Sequence, residues 1–203
     1  MLIDNHNRVI NYLRLAVTDR CNLRCHYCMP SEGINFVKND ELLTIDELKT
    51  VSKIMVSKGI DKIRITGGEP FVRKDLMVLL RYMAQLQGLN DISITTNATL
   101  IGPYIDELKE LGISGINLSL DTLDPKHFRQ LTRKDLLDNV LTTLHGSLER
   151  DIPLKINTVV FEETTDDNIL ALAELAEKYP LTVRFIEKMP FSGGNGLKNG
   201  GIG

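Results

Sequence analysis

The sequence predicts an α/β fold, a partial (β/α)6 TIM-like barrel with parallel strands and a polar lumen. Three observations carry this expectation. Short β-rich runs alternate with helical segments along nearly all of the 203 residues. About six such units fit parallel strands joined by right-handed crossovers. Read by parity, the strands put apolar side chains on one face and polar, largely cationic ones on the other. All three cysteines, Cys21, Cys25 and Cys28, fall in one loop after the first long strand.

The elements follow in order. "NYLRLAV" (11–17) opens the series, and the Thr44-x-x-Glu47 capping box starts a helix that Gly59 closes. "DKIRIT" (61–66) is the second strand. Asp75 opens a helix over "DLMVLLRYMAQLQG", closed by Gly88. After "DISITT" (91–96), Pro103 falls in the first turn of "PYIDELKELG", where its missing N–H does little harm. "GINLSL" (115–120) is followed by a helix from about Lys134 to Glu149, then "PLKINTVV" (153–160). Asp166 or Asp167 starts "NILALAELAEKY" ahead of Pro180, and "LTVRFIE" (181–187) is the sixth strand. Residues 1–191 read as one domain. The tail 192–203, "SGGNGLKNGGIG", is a break in composition and is expected to be the truncation point of a longer protein.

Composition narrows the function. A net charge of -3 offers no global attraction for nucleic acid. No apolar run approaches the ~20 residues of a membrane span, and no signal peptide is recognisable. An odd set of clustered thiols is poor disulfide material and suits a reducing cytoplasm, the expected location.

Parity also says what the lumen holds. Leu13, Leu15, Val17, Ile63, Ile65, Ile92, Ile94, Ile116, Leu118, Leu120, Leu154 and Ile156 share the face meant for helices. The other face carries Arg14, Thr18, Lys62, Arg64, Thr66, Ser93, Thr95, Asn97, Asn117, Ser119, Asp121, Lys155, Asn157 and Arg184. A packed barrel interior would be mostly aliphatic. Five cations against one acid point instead to an anionic, phosphorylated small molecule in an open lumen.

The cysteine spacing, C-x3-C-x2-C, admits three explanations. A structural zinc normally takes four protein ligands, and His26 sits between two of the cysteines. Inert buried thiols are a second reading, although the loop is rich in Asn, Arg and His. An iron–sulfur cluster is the third, since thiolates are its usual ligands and three of them leave one iron open to a small molecule.

C-x3-C-x2-C with Tyr27 before the last Cys resembles the cluster loop of the radical S-adenosylmethionine (SAM) enzymes, and "TGGEP" (66–70) resembles their second signature. More narrowly, "LRLAVTDRCNLRCHYCMP", "KIRITGGEPFVRKDL", "TTNATL", "INLSLD" and "RFIEKMP" look like the molybdenum-cofactor biosynthesis protein A family, the GTP 3',8-cyclases, from about residue 8 to 191. This resemblance implies a [4Fe–4S] cluster on Cys21, Cys25 and Cys28 and SAM bound to its open iron. It implies reductive cleavage of SAM to a 5'-deoxyadenosyl radical, removal of the 3' hydrogen of GTP and closure onto C8. Tyr27, Gly68, Ser119 and Met189 match SAM contacts. Gly67 is expected to let the backbone approach a ligand, and Glu69 to accept from the SAM ammonium. Arg14, Arg64, Thr95 and Lys155 match GTP contacts, with Lys62 and Arg184 as further phosphate-side residues. Implied partners are a flavodoxin- or ferredoxin-like electron donor and a second copy in a homodimer, with neither nucleic acid nor membrane among them.

There are departures. Ala98 stands where the family often has Gly, and Leu197 where it usually has Trp. Family members run longer and carry a second three-cysteine cluster, whereas no cysteine follows Cys28. Two alternatives stay open: radical chemistry on another substrate such as a peptide, or a zinc-binding module without catalysis.

Overall fold

The computed structural model describes residues 1–29 and 33–188; Met189 and the tail 192–203 lie outside the described residues. β1 (Leu2–Ile3) and β2 (Val9–Ile10) form a small antiparallel ribbon. Six parallel strands follow, β3 (Tyr12–Ala16), β4 (Lys62–Thr66), β5 (Asp91–Thr96), β6 (Gly115–Ser119), β7 (Leu154–Val160) and β8 (Leu181–Glu187). Their order in the sheet is their order in the chain, β3-β4-β5-β6-β7-β8, with β3 and β8 at its edges among the described residues. Each strand is laid beside its predecessor, as in a TIM barrel, but among the described residues the ring stays open. The expected partial (β/α)6 barrel is therefore the observed architecture.

The apolar parity set is the core. Ile63, Ile65, Ile92, Ile94, Ile116, Leu118, Leu120, Leu154 and Ile156 are buried in one cluster, with Leu13 partly buried against it. Burial of each such side chain is worth ~1.5–3 kcal/mol, which holds the opposite parity turned inward. The helices supply the covering layer. α1 (Ile45–Ser57) starts at the capping box, where Thr44 Oγ1 accepts the Glu47 N–H at 3.3 Å and Glu47 takes the Thr44 N–H at 2.7 Å.

α2 (Leu76–Met83) ends five residues before Gly88. Beyond it, tight turns donate Gln85 N–H to Tyr82 and Leu86 N–H to Met83, and they tuck Leu86 and Leu89 against the core. α3 (Ile105–Glu110) follows a 3-10 turn at Gly102–Tyr104 that takes Pro103. α4 (Pro125–Thr132) is an addition to the expected elements. Asp124 caps it by accepting the His127 N–H at 2.6 Å, Pro125 is its first residue, and Arg133 ends it in the left-handed region, φ 58. That stop delays α5 to Leu137–Glu149. α6 (Asp166–Lys178) is capped by Thr165.

Candidate active site at the carboxyl end of the sheet

Register sorts the inward side chains into rows. Arg14 lies beside Arg64 and Arg64 beside Ser93; Thr95 lies beside Asn117 and Asn117 beside Lys155; Ser119, Asn157 and Arg184 form a third row. Lys62 sits between Tyr12 and Asp91, nearest the amino ends of the strands and farthest from the cysteines. Arg14, Lys62 and Lys155 are exposed, and Arg64 and Arg184 half-buried. Among the described residues none of the five joins an ion pair. Arg64 lies over the Tyr12 ring at 5.4 Å and donates to Ser93 Oγ at 3.4 Å. With Ser93, Asn117 and Lys155 it lines a cavity of about 80 Å³.

The inward face carries two acids, Asp91 and Asp121. Asp91 stands in register beside Lys62 and lines the same cavity as Arg64 and Lys155, without a salt bridge to them among the described residues. Asp121 does not neutralise these cations either. It is 9% exposed and accepts from Tyr27 Oη at 2.7 Å and from the Val159 N–H at 2.8 Å. Burial raises its carboxyl above the ordinary range, and those two donors pull it back only in part.

The chain entering the cysteine loop runs along the "TGGEP" turn. Val17 N–H donates to Thr66 O at 2.9 Å, Gly68 N–H to Thr18 O at 2.8 Å, and Glu69 N–H to Arg20 O at 2.7 Å. A Cβ on Gly67 would lie under 3.0 Å from Thr18 O, and one on Gly68 equally close to Arg20 O. Gly67 also sits at φ 148, a region L side chains rarely adopt. The close approach expected at these glycines is thus made by the chain itself. Glu69, expected to face a ligand, is 0% exposed. Its Oε1 accepts from Phe71 N–H at 3.1 Å and Thr96 Oγ1 at 2.8 Å, and its Oε2 from Asn97 N–H at 2.7 Å. One of about four lone-pair directions stays free, so in this arrangement the carboxylate ties the turn to the end of β5.

The loop rests on α4, the helix that sequence reasoning missed although Asp124-Pro125 signals its start. Arg24 N–H donates to Thr132 O and His26 N–H to Leu131 O, both at 3.0 Å. Cys25 O then accepts from Cys28 N–H at 3.0 Å and Met29 N–H at 2.8 Å, winding the last two cysteines into one turn. Tyr27 packs on Phe161 at 5.0 Å while its hydroxyl holds Asp121. A cavity of about 30 Å³ brings Ser119 together with Cys25, Tyr27 and Asp121. Cys21 Sγ accepts from the Leu23 N–H at 3.4 Å and from Asn97 Nδ2 at 3.5 Å. Asn97 was legible only as inward-facing; nothing in its spacing signals this contact.

The three thiols are free cysteines. Burial pushes the Cys25 thiol up to about 12, helped by the charge of Asp121 and by the neighbouring thiols, and burial likewise raises Cys21. Cys21 and Cys25 are thereby disfavoured as thiolates unless a strongly cationic group binds beside them. Among the described residues no three His, Cys, Asp or Glu side chains are placed to hold a single metal ion, and His26 stands on Phe161 instead. The donor set fits an iron–sulfur cluster, whose several irons let three thiolates bind at separate corners.

The radical SAM superfamily matches residues 15–176. The chain belongs to that superfamily. Radical SAM proteins use a [4Fe–4S] cluster and SAM, and solved radical SAM structures share this fold. Streptococcus suis SuiB bound to S-adenosylmethionine superposes with a TM-score of 0.75 at 22% identity, covering 90% of this chain and 42% of that one. The protein anSMEcpe with bound AdoMet gives 0.71 at 21%, covering 93% and 52%. In sequence the chain is similar to the GTP 3',8-cyclase of Syntrophomonas wolfei, 46% identical over 93% of this chain and 58% of that protein. The GTP 3',8-cyclase of Peptoclostridium acidaminophilum is also 46% identical, over 97% and 61%. Molybdenum cofactor biosynthesis protein 1 of Bos taurus is 42% identical over 95% and 30%. This radical SAM chain spans about three fifths of the bacterial relatives it matches. Among its described residues no helix is long and apolar enough to cross a membrane.

Proposed function

We propose that this chain is the cluster- and SAM-holding core of a GTP 3',8-cyclase of molybdenum-cofactor biosynthesis, working in the cytoplasm. One observation carries the substrate reading: a set of cations without ion pairs among the described residues lines the same open barrel whose rim bears the cysteine loop. Similarity to curated GTP 3',8-cyclases supports it.

In this reading Cys21, Cys25 and Cys28 hold the cluster. When bound, the cluster and SAM supply the radical that removes the 3' hydrogen of GTP, leading to 3',8-cyclo-7,8-dihydro-GTP. Tyr27, Gly68, Ser119 and Met189 contact SAM, of which Met189 lies outside the described residues. Glu69 and Gly67 hold the loop entry in place, with one Glu69 lone pair left for the SAM ammonium. Arg14, Arg64, Thr95 and Lys155 receive GTP, and Lys62 and Arg184 extend the cationic wall on the phosphate side. The Tyr12 ring beneath Arg64 orients its planar fork before phosphate arrives. Asp121, bonded to Tyr27 and Val159, keeps its charge out of that wall. The resemblance also proposes a flavodoxin- or ferredoxin-like donor and a homodimer as partners.

GTP binding to the anaerobically reconstituted chain, measured by titration calorimetry, tests the substrate. A charge-assisted hydrogen bond is worth ~1.5–3 kcal/mol, so Arg64→Ala and Lys155→Ala should each weaken GTP about 10- to 100-fold. Guanosine should bind far less than GTP. Equal binding of guanosine, or indifference to both substitutions, would overturn the assignment.

A further inference from the structure

Asn97 stands just beyond β5, and every polar group of its side chain is engaged. Oδ1 accepts from the Thr99 N–H at 3.0 Å and from Thr99 Oγ1 at 2.6 Å. Nδ2 donates to Asn22 Oδ1 at 3.0 Å and to Cys21 Sγ at 3.5 Å. Asn22 closes the ring by donating its own Nδ2 to Thr99 Oγ1 at 2.8 Å. The backbone N–H of Asn97 is meanwhile held by Glu69 at 2.7 Å. Because a main-chain N–H fixes the oxygen end of the amide, the amino end faces the sulfur.

The local backbone is bent to make this ring. Ala98 lies at φ 63, in the left-handed region, and is 0% exposed. A non-glycine residue costs roughly 1–2 kcal/mol there. Its N–H is caught by Thr96 Oγ1 at 2.9 Å, and its carbonyl by Thr143 Oγ1 at 2.8 Å. The bend brings Asn97 and Thr99 to the same side of the chain, against the cysteine loop.

We propose that Asn97 is a positioning residue for the cluster ligand Cys21, and that its N–H donation to Sγ raises the reduction potential of the cluster. This rests on the reading that Cys21, Cys25 and Cys28 hold that cluster. Reduction adds negative charge, part of it on the sulfurs, so an N–H aimed at a ligand sulfur favours the reduced state. Hydrogen bonds to the sulfurs are among the determinants of such potentials, and partners one step beyond the ligands tune metal sites generally. The Leu23 N–H gives Cys21 a main-chain donor that no side-chain substitution removes. Asn97 is the adjustable one.

The test is anaerobic redox titration of the reconstituted full chain, followed by electron paramagnetic resonance, with iron and sulfide counted in the same samples. Asn97→Ala should keep its iron and shift the reduction equilibrium toward the oxidised cluster by between about threefold and tenfold, the latter ~59 mV for one electron. Thr99→Val leaves Asn97 in place but removes the hydroxyl that anchors its amide, and should give a smaller shift of the same sign. An unchanged potential in an iron-replete Asn97→Ala protein overturns the proposal. If Asn97→Ala fails to hold iron, Thr99→Val decides: a lowered potential supports the proposal and an unchanged one overturns it. Failure of the unsubstituted chain to take up iron and sulfide overturns the cluster reading itself, and this proposal with it.

Discussion

At the carboxyl rim of the barrel the side chains of Glu69, Asp121 and Asn97 find protein partners, with Asp19 Oδ1 a buried exception, whereas along the inner wall several polar groups have none among the described residues. Glu69 accepts three hydrogen bonds, Asp121 two, and Asn97 uses both ends of its amide. On the wall, Asn117 is 3% exposed with an unpartnered Oδ1, and Asn157 Oδ1 is likewise buried without a partner. The five cations form no ion pair among the described residues, although Asp91 lies beside Lys62 in register. A buried polar atom without a partner is unfavourable, which makes such atoms informative. The rim is finished as protein and presents thiols in a fixed loop. The wall keeps polar groups without protein partners among the described residues.

That contrast can be broken or sharpened by substitution on either side. The largest expected effect is on the wall. Arg64→Ala combined with Lys155→Ala should weaken GTP about 10²- to 10⁴-fold in calorimetry while leaving the thermal unfolding midpoint nearly unchanged, because neither charge supports the fold through an ion pair. A loss of stability comparable to the loss of binding would mean that the wall is structural after all.

Gly68→Ala should do the reverse. Its Cβ would fall under 3.0 Å from the carbonyl of Arg20, a backbone atom that cannot step aside cheaply. Overpacking of this kind costs ~1–3 kcal/mol, and denaturant unfolding of the apo chain should show it. A smaller effect is expected at Glu69. Burial raises its carboxyl above the ordinary 4.5 despite three donors. A raised carboxyl favours the protonated fold, so its contribution is whole below the unfolded value and is lost as pH rises through the folded one. Relative to Glu69→Gln, which cannot ionise, the unsubstituted chain should lose stability with rising pH above 4.5, by at most ~1.4 kcal/mol per unit. Parallel stability curves would refute this.

Much of this arrangement is written in local pattern. Alternation along "KIRIT" and "INLSL" assigns Arg64 and Asn117 to one face because the period of a strand is two, and the buried isoleucines and leucines enforce it. The cysteine spacing and "TGGEP" are contiguous, so they too can be read off. What could not be read depends on which segments meet. Gly67 and Gly68 look the same in sequence whether a ligand or Thr18 and Arg20 crowds them. Glu69 is an acid at a turn until Thr96 and Asn97 arrive to bury it. α4 was readable in Asp124-Pro125, but its use as a shelf for Arg24 and His26 was not. Asn97 reaches Cys21 across 76 residues of chain, with no trace in either neighbourhood.

The central claim is that three thiols at the rim hold a [4Fe–4S] cluster that splits SAM beside a cationic wall. Its most direct test is anaerobic reconstitution of this chain with iron and sulfide, then reduction in the presence of SAM, with 5'-deoxyadenosine measured by chromatography. The account predicts about four irons per chain, formation of 5'-deoxyadenosine, and loss of both in Cys25→Ser. Zinc retained in place of iron, or iron uptake indifferent to Cys25→Ser, would contradict it.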